Sequence, residues 1–223
     1  KRASKIGFDG IELVGEPDLY DIKHLNKLLN DYGLNVISIC GMFPGPNPDD
    51  LRALNHYDKK ERQSAINYVK KCIDLANQVG ARSVLVVPSL VGQPKYFTSK
   101  EEDYRYAVDS ISKAAEYAKE NNILLTIEPI NRYEVGFVHT VEDAINMAKK
   151  INNDYVRVMG DTFHMQLEEG QGIDTAIRKA GKYWFQHFHV ADNTREAPGL
   201  GVLPWKKIIS ALFDIGYEGG ISC

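Results

Sequence analysis

The sequence has little of what marks several large protein classes. Its three cysteines among 223 residues, Cys40, Cys72 and Cys223, form no CxxC pair and no even set. That argues against a disulfide framework and for a reducing compartment. No apolar run approaches the ~20 residues that cross a bilayer, and the opening residues KRASKIGFDG lack the apolar stretch of a secretory signal. Positive charge is not in excess: 27 Lys and Arg against 30 Asp and Glu leave a formal net charge of -3, which disfavours nucleic acid as a partner. Glycine-rich phosphate turns are missing as well, since neither IELVGEPD nor SICGMFPGPNP carries GxGxxG or GxxxxGKS/T. The expectation is a cytoplasmic protein that engages neither membrane nor nucleic acid.

What is present is a regular alternation. Short apolar runs rich in β-branched residues occur at 11–15, 35–41, 83–88, 124–130, 156–161, 184–192 and 219–223. Amphipathic segments of helical length separate them, at 21–33, 59–80, 102–122, 140–151, 172–181 and 204–216, several closing on the Gly or Asn expected just past a helix end. Strict alternation of strand and helix predicts parallel strands with right-handed crossovers, an α/β fold. Without a phosphate-binding turn, a barrel is preferred to an open doubly wound sheet. The chain opens at what reads as the end of a helix and closes on a strand, so a (β/α)8 barrel would lack its first strand and last helix. Residues 1–223 are therefore expected to form a single barrel domain and to be a segment of a slightly longer chain.

In a parallel barrel the strand tips share one rim, and few ionisable groups stand there. The run TIEPINRYE places Glu128 at the end of an apolar strand, with Glu134 six residues on; VRVMGDTFH places Asp161 and His164; FQHFHVADNTR places His187, His189, Asp192 and Arg195. Carboxylates and imidazoles converging from three strands make an oxygen and nitrogen ligand set for a divalent ion. Taken singly, Glu128 or Asp161 reads as readily as the N-cap of a following helix or the partner of an arginine. His187 and His189 share a strand face by the period of two, and two unpartnered imidazoles inside a barrel would be costly. His164 alone reads as well as a surface-loop residue. His24, His56 and His139 are assigned to helices or loops without function.

Together, IEPINRYE, GDTFHMQLEE and HFHVADNTREAPGLGVLPW, in order on three successive strands, resemble the sugar isomerase and epimerase superfamily with a xylose-isomerase-like TIM barrel. Within it, they are most similar to ketose 3-epimerases. The likeness runs from GFDGIEL to GYEGGIS. It implies metal-dependent epimerisation of a ketose at C3 through a cis-enediolate, with glutamates exchanging the proton. Residue by residue, it implies Glu128, Asp161 and His189 as metal ligands, Glu128 also as acid/base, and Glu134, His164 and Arg195 as substrate-binding groups. His187 matches no direct role. The family's fourth ligand, a glutamate, would fall just after Cys223; Glu218 lies too early, before the strand, to replace it.

Oxygen-rich ligation with one histidine suits Mn²⁺ best, with Mg²⁺ or Co²⁺ able to substitute. The resemblance also implies a small-molecule sugar substrate and a homo-oligomer, dimer or tetramer. Alternatives on the same barrel are an aldose-ketose isomerase, a hydroxypyruvate isomerase, an inosose dehydratase, or a non-catalytic sugar-binding relative. A DNA-repair endonuclease of this barrel type would need many more histidines. Phe43, Tyr96, Phe97 and Trp205 are candidate pocket walls, each equally readable as packing.

Overall fold

The computed structural model describes residues 1–41, 44–47 and 49–223; Phe43 lies outside the described residues. Seven strands form a single parallel sheet in chain order: β1 (Gly10–Val14), β2 (Asn35–Cys40), β3 (Ser83–Val86), β4 (Leu124–Ile127), β5 (Val156–Asp161), β6 (Phe185–His189) and β7 (Gly220–Ser222). Each is joined to the next through helix. The principal helices are α1 (Arg2–Ile6), α2 (Ile22–Tyr32), α3 (Lys59–Val79), α4 (Lys100–Glu120), α5 (Val141–Ile151), α6 (Thr162–Glu168), α7 (Ile173–Trp184) and α8 (Trp205–Asp214). All seven expected strands are present, most of them shorter at the C-terminal end than their apolar runs. The residues trimmed from those ends are the ones that turn into the rim.

Helix limits follow local chemistry. Asp21, Asp58, Ser99 and Thr140 accept hydrogen bonds from the first-turn amides of α2, α3, α4 and α5, and Gly33, Gly80 and Asn152 end α2, α3 and α5 in the left-handed conformation. Helix α7 is interrupted at Gly181, where the sequence places its end.

The sheet curls into a nearly closed barrel, and one hydrogen bond proves it. His187 Nε2 on β6 lies 2.8 Å from Glu12 Oε1 on β1. In a flat sheet those strands would stand about 24 Å apart, five spacings of ~4.8 Å. Alternation along each strand then sorts residues between cavity and helices. On β4, Leu125 and Ile127 are fully buried on one face, while Thr126 and Glu128 share the other. Fully buried Ile39, Leu85, Leu125, Ile127, Phe185 and Phe188 belong to the continuous apolar core that also takes in Ile73, Ile111 and Met147 of the helices. Each such side chain contributes roughly 1.5–3 kcal/mol relative to exposure.

Candidate active site at the barrel rim

The site has a deep part carried by strands. Glu128, just past the end of β4, is 4% exposed. Its Oε1 lies 3.7 Å from His189 Nδ1 on β6, and Asp161 Oδ2 at the end of β5 lies 4.0 Å from the same nitrogen. One donor atom from each of Glu128, Asp161 and His189 falls within 4.8 Å of the others. The sequence left Asp161 open between helix cap and ligand, and the geometry serves both: Oδ1 accepts from Phe163 N at 2.7 Å, opening α6, while Oδ2 faces the histidine.

Glu12 of β1 completes this part, and sequence reasoning did not single it out. Its Oε1 lies 2.8 Å from His187 Nε2, its Oε2 lies 2.9 Å from His189 Nε2, and Ser38 Oγ of β2 donates to the same carboxylate. His187 thus has a partner, as its expected burial requires, although its Nδ1 has none among the described residues. The available signal for Glu12 was a lone charge inside the apolar run GIELV.

Electrostatics follow from the enclosure. Burial, above all, pushes Glu128 up to about 8; the charge of His189 opposes this, and those of Asp161 and Glu12 add to it. Burial of His189 works against its charge, yet the hydrogen bond to Glu12 and the surrounding carboxylates outweigh it and raise the ring to about 9. Glu12 is also penalised by burial, but the two histidines hold it well below the usual carboxylate range. Cys40, near Glu12 and His189, is kept a neutral thiol mainly by burial.

The second part of the site hangs on loops. His164, which the sequence leaves readable as a surface-loop residue, sits on α6 and is 4% exposed. Helix α6 forms because Asp161 caps it and Gly160 has no Cβ; one added there would stand 2.6 Å from Met165 Sδ. Asn131 Nδ2 lies 2.8 Å from both Glu134 Oε1 and His164 Nδ1. The shorter contact makes His164 Nδ1 the acceptor, which leaves the ring proton on Nε2, where the Arg195 nitrogen 3.4 Å away makes no hydrogen bond; burial lowers the ring's pKa and favours the neutral form. One turn on, Glu168 accepts from the Arg132 amide and guanidinium, so α6 grips the post-β4 loop twice.

Arg195 enters from the loop after β6 in a left-handed conformation, φ 62°, uncommon outside glycine. Its guanidinium lies 4.1 Å from the Phe163 ring centroid, with a nitrogen 3.4 Å from His164 Nε2 and 3.6 Å from Glu134 Oε1. The loop is wrapped around Asp192, fully buried, whose carboxylate accepts from the amides of Asn193, Gly199 and Leu203 and from Trp205 Nε1. Trp205 thus has an anchoring contact, and Phe97 packs edge-on against His56. Glu218 pairs with Lys182.

A parallel barrel with carboxylates and a histidine converging at its strand ends defines a class, and the whole chain, residues 1–223, matches the xylose isomerase-like TIM barrel family, to which it belongs. Among individual proteins it is 30% identical over 99% of its length to D-psicose 3-epimerase from Ruminiclostridium cellulolyticum, covering 75% of that protein. It is 31% identical to D-psicose 3-epimerase from Enterocloster bolteae, over 98% of this chain and 72% of that one. The crystal structure of D-psicose 3-epimerase with D-tagatose from Clostridium cellulolyticum H10 superposes with a TM-score of 0.88 at 27% identity, covering 99% of this chain and 76% of that one. No helix among the described residues is long and apolar enough to cross a membrane.

Proposed function

We propose that this chain is a sugar epimerase of the ketose 3-epimerase type, a single barrel domain that inverts C3 of a small ketose. The observation that carries the reading is the meeting of Glu128, Asp161 and His189 donor atoms within 4.8 Å, on a chain 30% identical to a D-psicose 3-epimerase. Two oxygens and one imidazole nitrogen suit a hard divalent ion, with Mn²⁺ preferred and Mg²⁺ or Co²⁺ able to replace it. When bound, that ion would supply positive charge where the substrate's carbonyl oxygen becomes negative.

The chain's own residues handle the proton and the substrate. Epimerisation beside a carbonyl removes a weakly acidic C–H proton, forming an enediolate, and returns one on the opposite face. Glu128, buried where β4 meets the cavity, is placed to take or give that proton on one face. His164, neutral with its proton on Nε2, and the cationic Arg195 are donors for the oxygens at the carbonyl end. Glu134 accepts from the neighbouring hydroxyl. Inversion also requires a second proton carrier on the opposite face of the carbon.

The test is solvent exchange. Glu128→Gln should abolish exchange of the substrate C3 hydrogen with deuterated water, assayed on D-psicose, D-tagatose and D-fructose with Mn²⁺. Exchange at the wild-type rate in the variant would overturn the assignment. Formation of an aldose in place of a C3 epimer would redirect the reading to an aldose-ketose isomerase.

A further inference from the structure

Four features around Glu12 have no place in the proton chemistry above. The residue sits in the middle of β1, outside the group of Glu128, Asp161 and His189, yet it touches one of them. Its carboxylate gathers His187 Nε2, His189 Nε2 and Ser38 Oγ, donors from two other strands. The two imidazoles stand edge to face, ring centroids 5.0 Å apart and planes at 83°. Ser38 Oγ also lies 3.3 Å from His187 Nε2, so the cluster is cross-linked beneath the carboxylate.

A neutral imidazole carries one proton and one lone pair, and the partner of one nitrogen decides the role of the other. Both Glu12 oxygens are near His189 Nε2, at 3.1 Å and 2.9 Å. An ionised carboxylate can only accept, so Nε2 must bear the hydrogen. The lone pair then falls on Nδ1, the nitrogen that faces Glu128 and Asp161. We infer that Glu12 is a positioning residue: it selects the Nε2–H tautomer of His189 and locks the ring so that Nδ1 is offered to a divalent ion beside Glu128 and Asp161. His187 and Ser38 hold Glu12 in turn. The role rests on the metal reading above. Carboxylates that orient a ligating histidine commonly account for 10–100-fold in metal affinity.

Two measurements test it. In isotope-labelled wild-type protein loaded with Mg²⁺, long-range ¹H–¹⁵N correlation should show His189 protonated at Nε2 and unprotonated at Nδ1; protonation at Nδ1 overturns the inference. In the second, Mn²⁺ binding is followed by electron paramagnetic resonance of the free ion in wild type, Glu12→Gln and Glu12→Asp. Glu12→Gln should bind about 10- to 100-fold more weakly, and Glu12→Asp, which keeps the acceptor, should recover part of the loss. Wild-type affinity in Glu12→Gln overturns the positioning role and leaves the metal site standing. No binding by the wild type overturns both. If Glu12→Gln does not fold, the wild-type tautomer and the Glu12→Asp affinity decide.

Discussion

The two parts of the site are built differently. Glu12, Glu128, Asp161, His187 and His189 stand on strands or at their ends and take their direction from the alternation of the sheet. Glu134, His164 and Arg195 stand on loops and one short helix, held by polar clamps: Asn131 between Glu134 and His164, Glu168 on Arg132, and Asp192 at the centre of the Arg195 loop. Under the proposed function the contrast is between ligation, which needs atoms fixed to tenths of an ångström, and substrate binding, which has to admit and release a sugar. Side chains on rigid elements serve the first, and loops tied by a few replaceable hydrogen bonds serve the second.

If that division holds, damage to one part should spare the other, and Asp161→Asn should give the largest effect. Asparagine caps a helix about as well as aspartate, so α6 and His164 should stay in place. The anionic oxygen facing His189 is lost. Mn²⁺ affinity should fall by more than about 100-fold, beyond what loss of a merely orienting group produces, with a circular dichroism spectrum like that of the wild type. Calorimetric titration checks this, and a loss of helix along with the metal would break the division.

The next largest effect is on pH. Without metal, Glu128 keeps its proton up to about 8 and His189 up to about 9. Binding through the carboxylate and Nδ1 has to displace both protons, so protons compete with the ion and apparent affinity rises with pH. Between pH 6 and 7.5 the gain should approach about two decades per unit, one per proton released, and flatten above pH 9. The loop part should add nothing to this slope, because His164 is held neutral. Mn²⁺ titrations in His164→Asn should therefore follow the wild-type pH curve.

The same division explains what could be read from the sequence. Alternation with a period of two is a one-dimensional signal, so the apolar run ending at Glu128 and the HFH spacing are enough to put three deep residues on the correct face. Glu12 escaped because its meaning arises only when β6 closes against β1, a contact between residues 175 apart in sequence. Helix α6 escaped because its seven residues are too few for a period to stand out. It depends on a cap and on the absence of a Cβ at Gly160, neither of which has a pattern of its own. Asn131 and Asp192 are ordinary polar loop residues until their partners arrive from elsewhere in the fold.

Disturbing the loop part should reverse the signature seen for Asp161. Asp192→Asn removes the charge on which three amides and the Trp205 indole converge, and an amide group cannot accept from all four. Arg195, already in an uncommon backbone conformation, loses its support. KM for the sugar should rise by about tenfold or more, in line with the loss of several charge-assisted hydrogen bonds. Mn²⁺ affinity should remain near the wild-type value, and a parallel loss of metal would show that the two parts are one unit.

Asn131→Ala is the most discriminating case. Asn131 touches neither metal ligand nor substrate in this reading; it lends one NH₂ group to Glu134 and His164. Its removal leaves both without that donor, at about 0.5–1.5 kcal/mol per lost hydrogen bond, or roughly 5- to 150-fold in kcat/KM for the pair. His164 would no longer have Nδ1 engaged as an acceptor, so its proton could move to Nδ1 and leave Nε2 unable to donate. Asn131→Asp separates the two effects. A carboxylate cannot donate to His164 Nδ1, but it can accept from it, enforcing the wrong tautomer and placing a second negative charge beside Glu134. If tautomer control by Asn131 is the operative role, Asn131→Asp will be slower than Asn131→Ala while both keep wild-type Mn²⁺ affinity. Equal rates would assign Asn131 to packing alone.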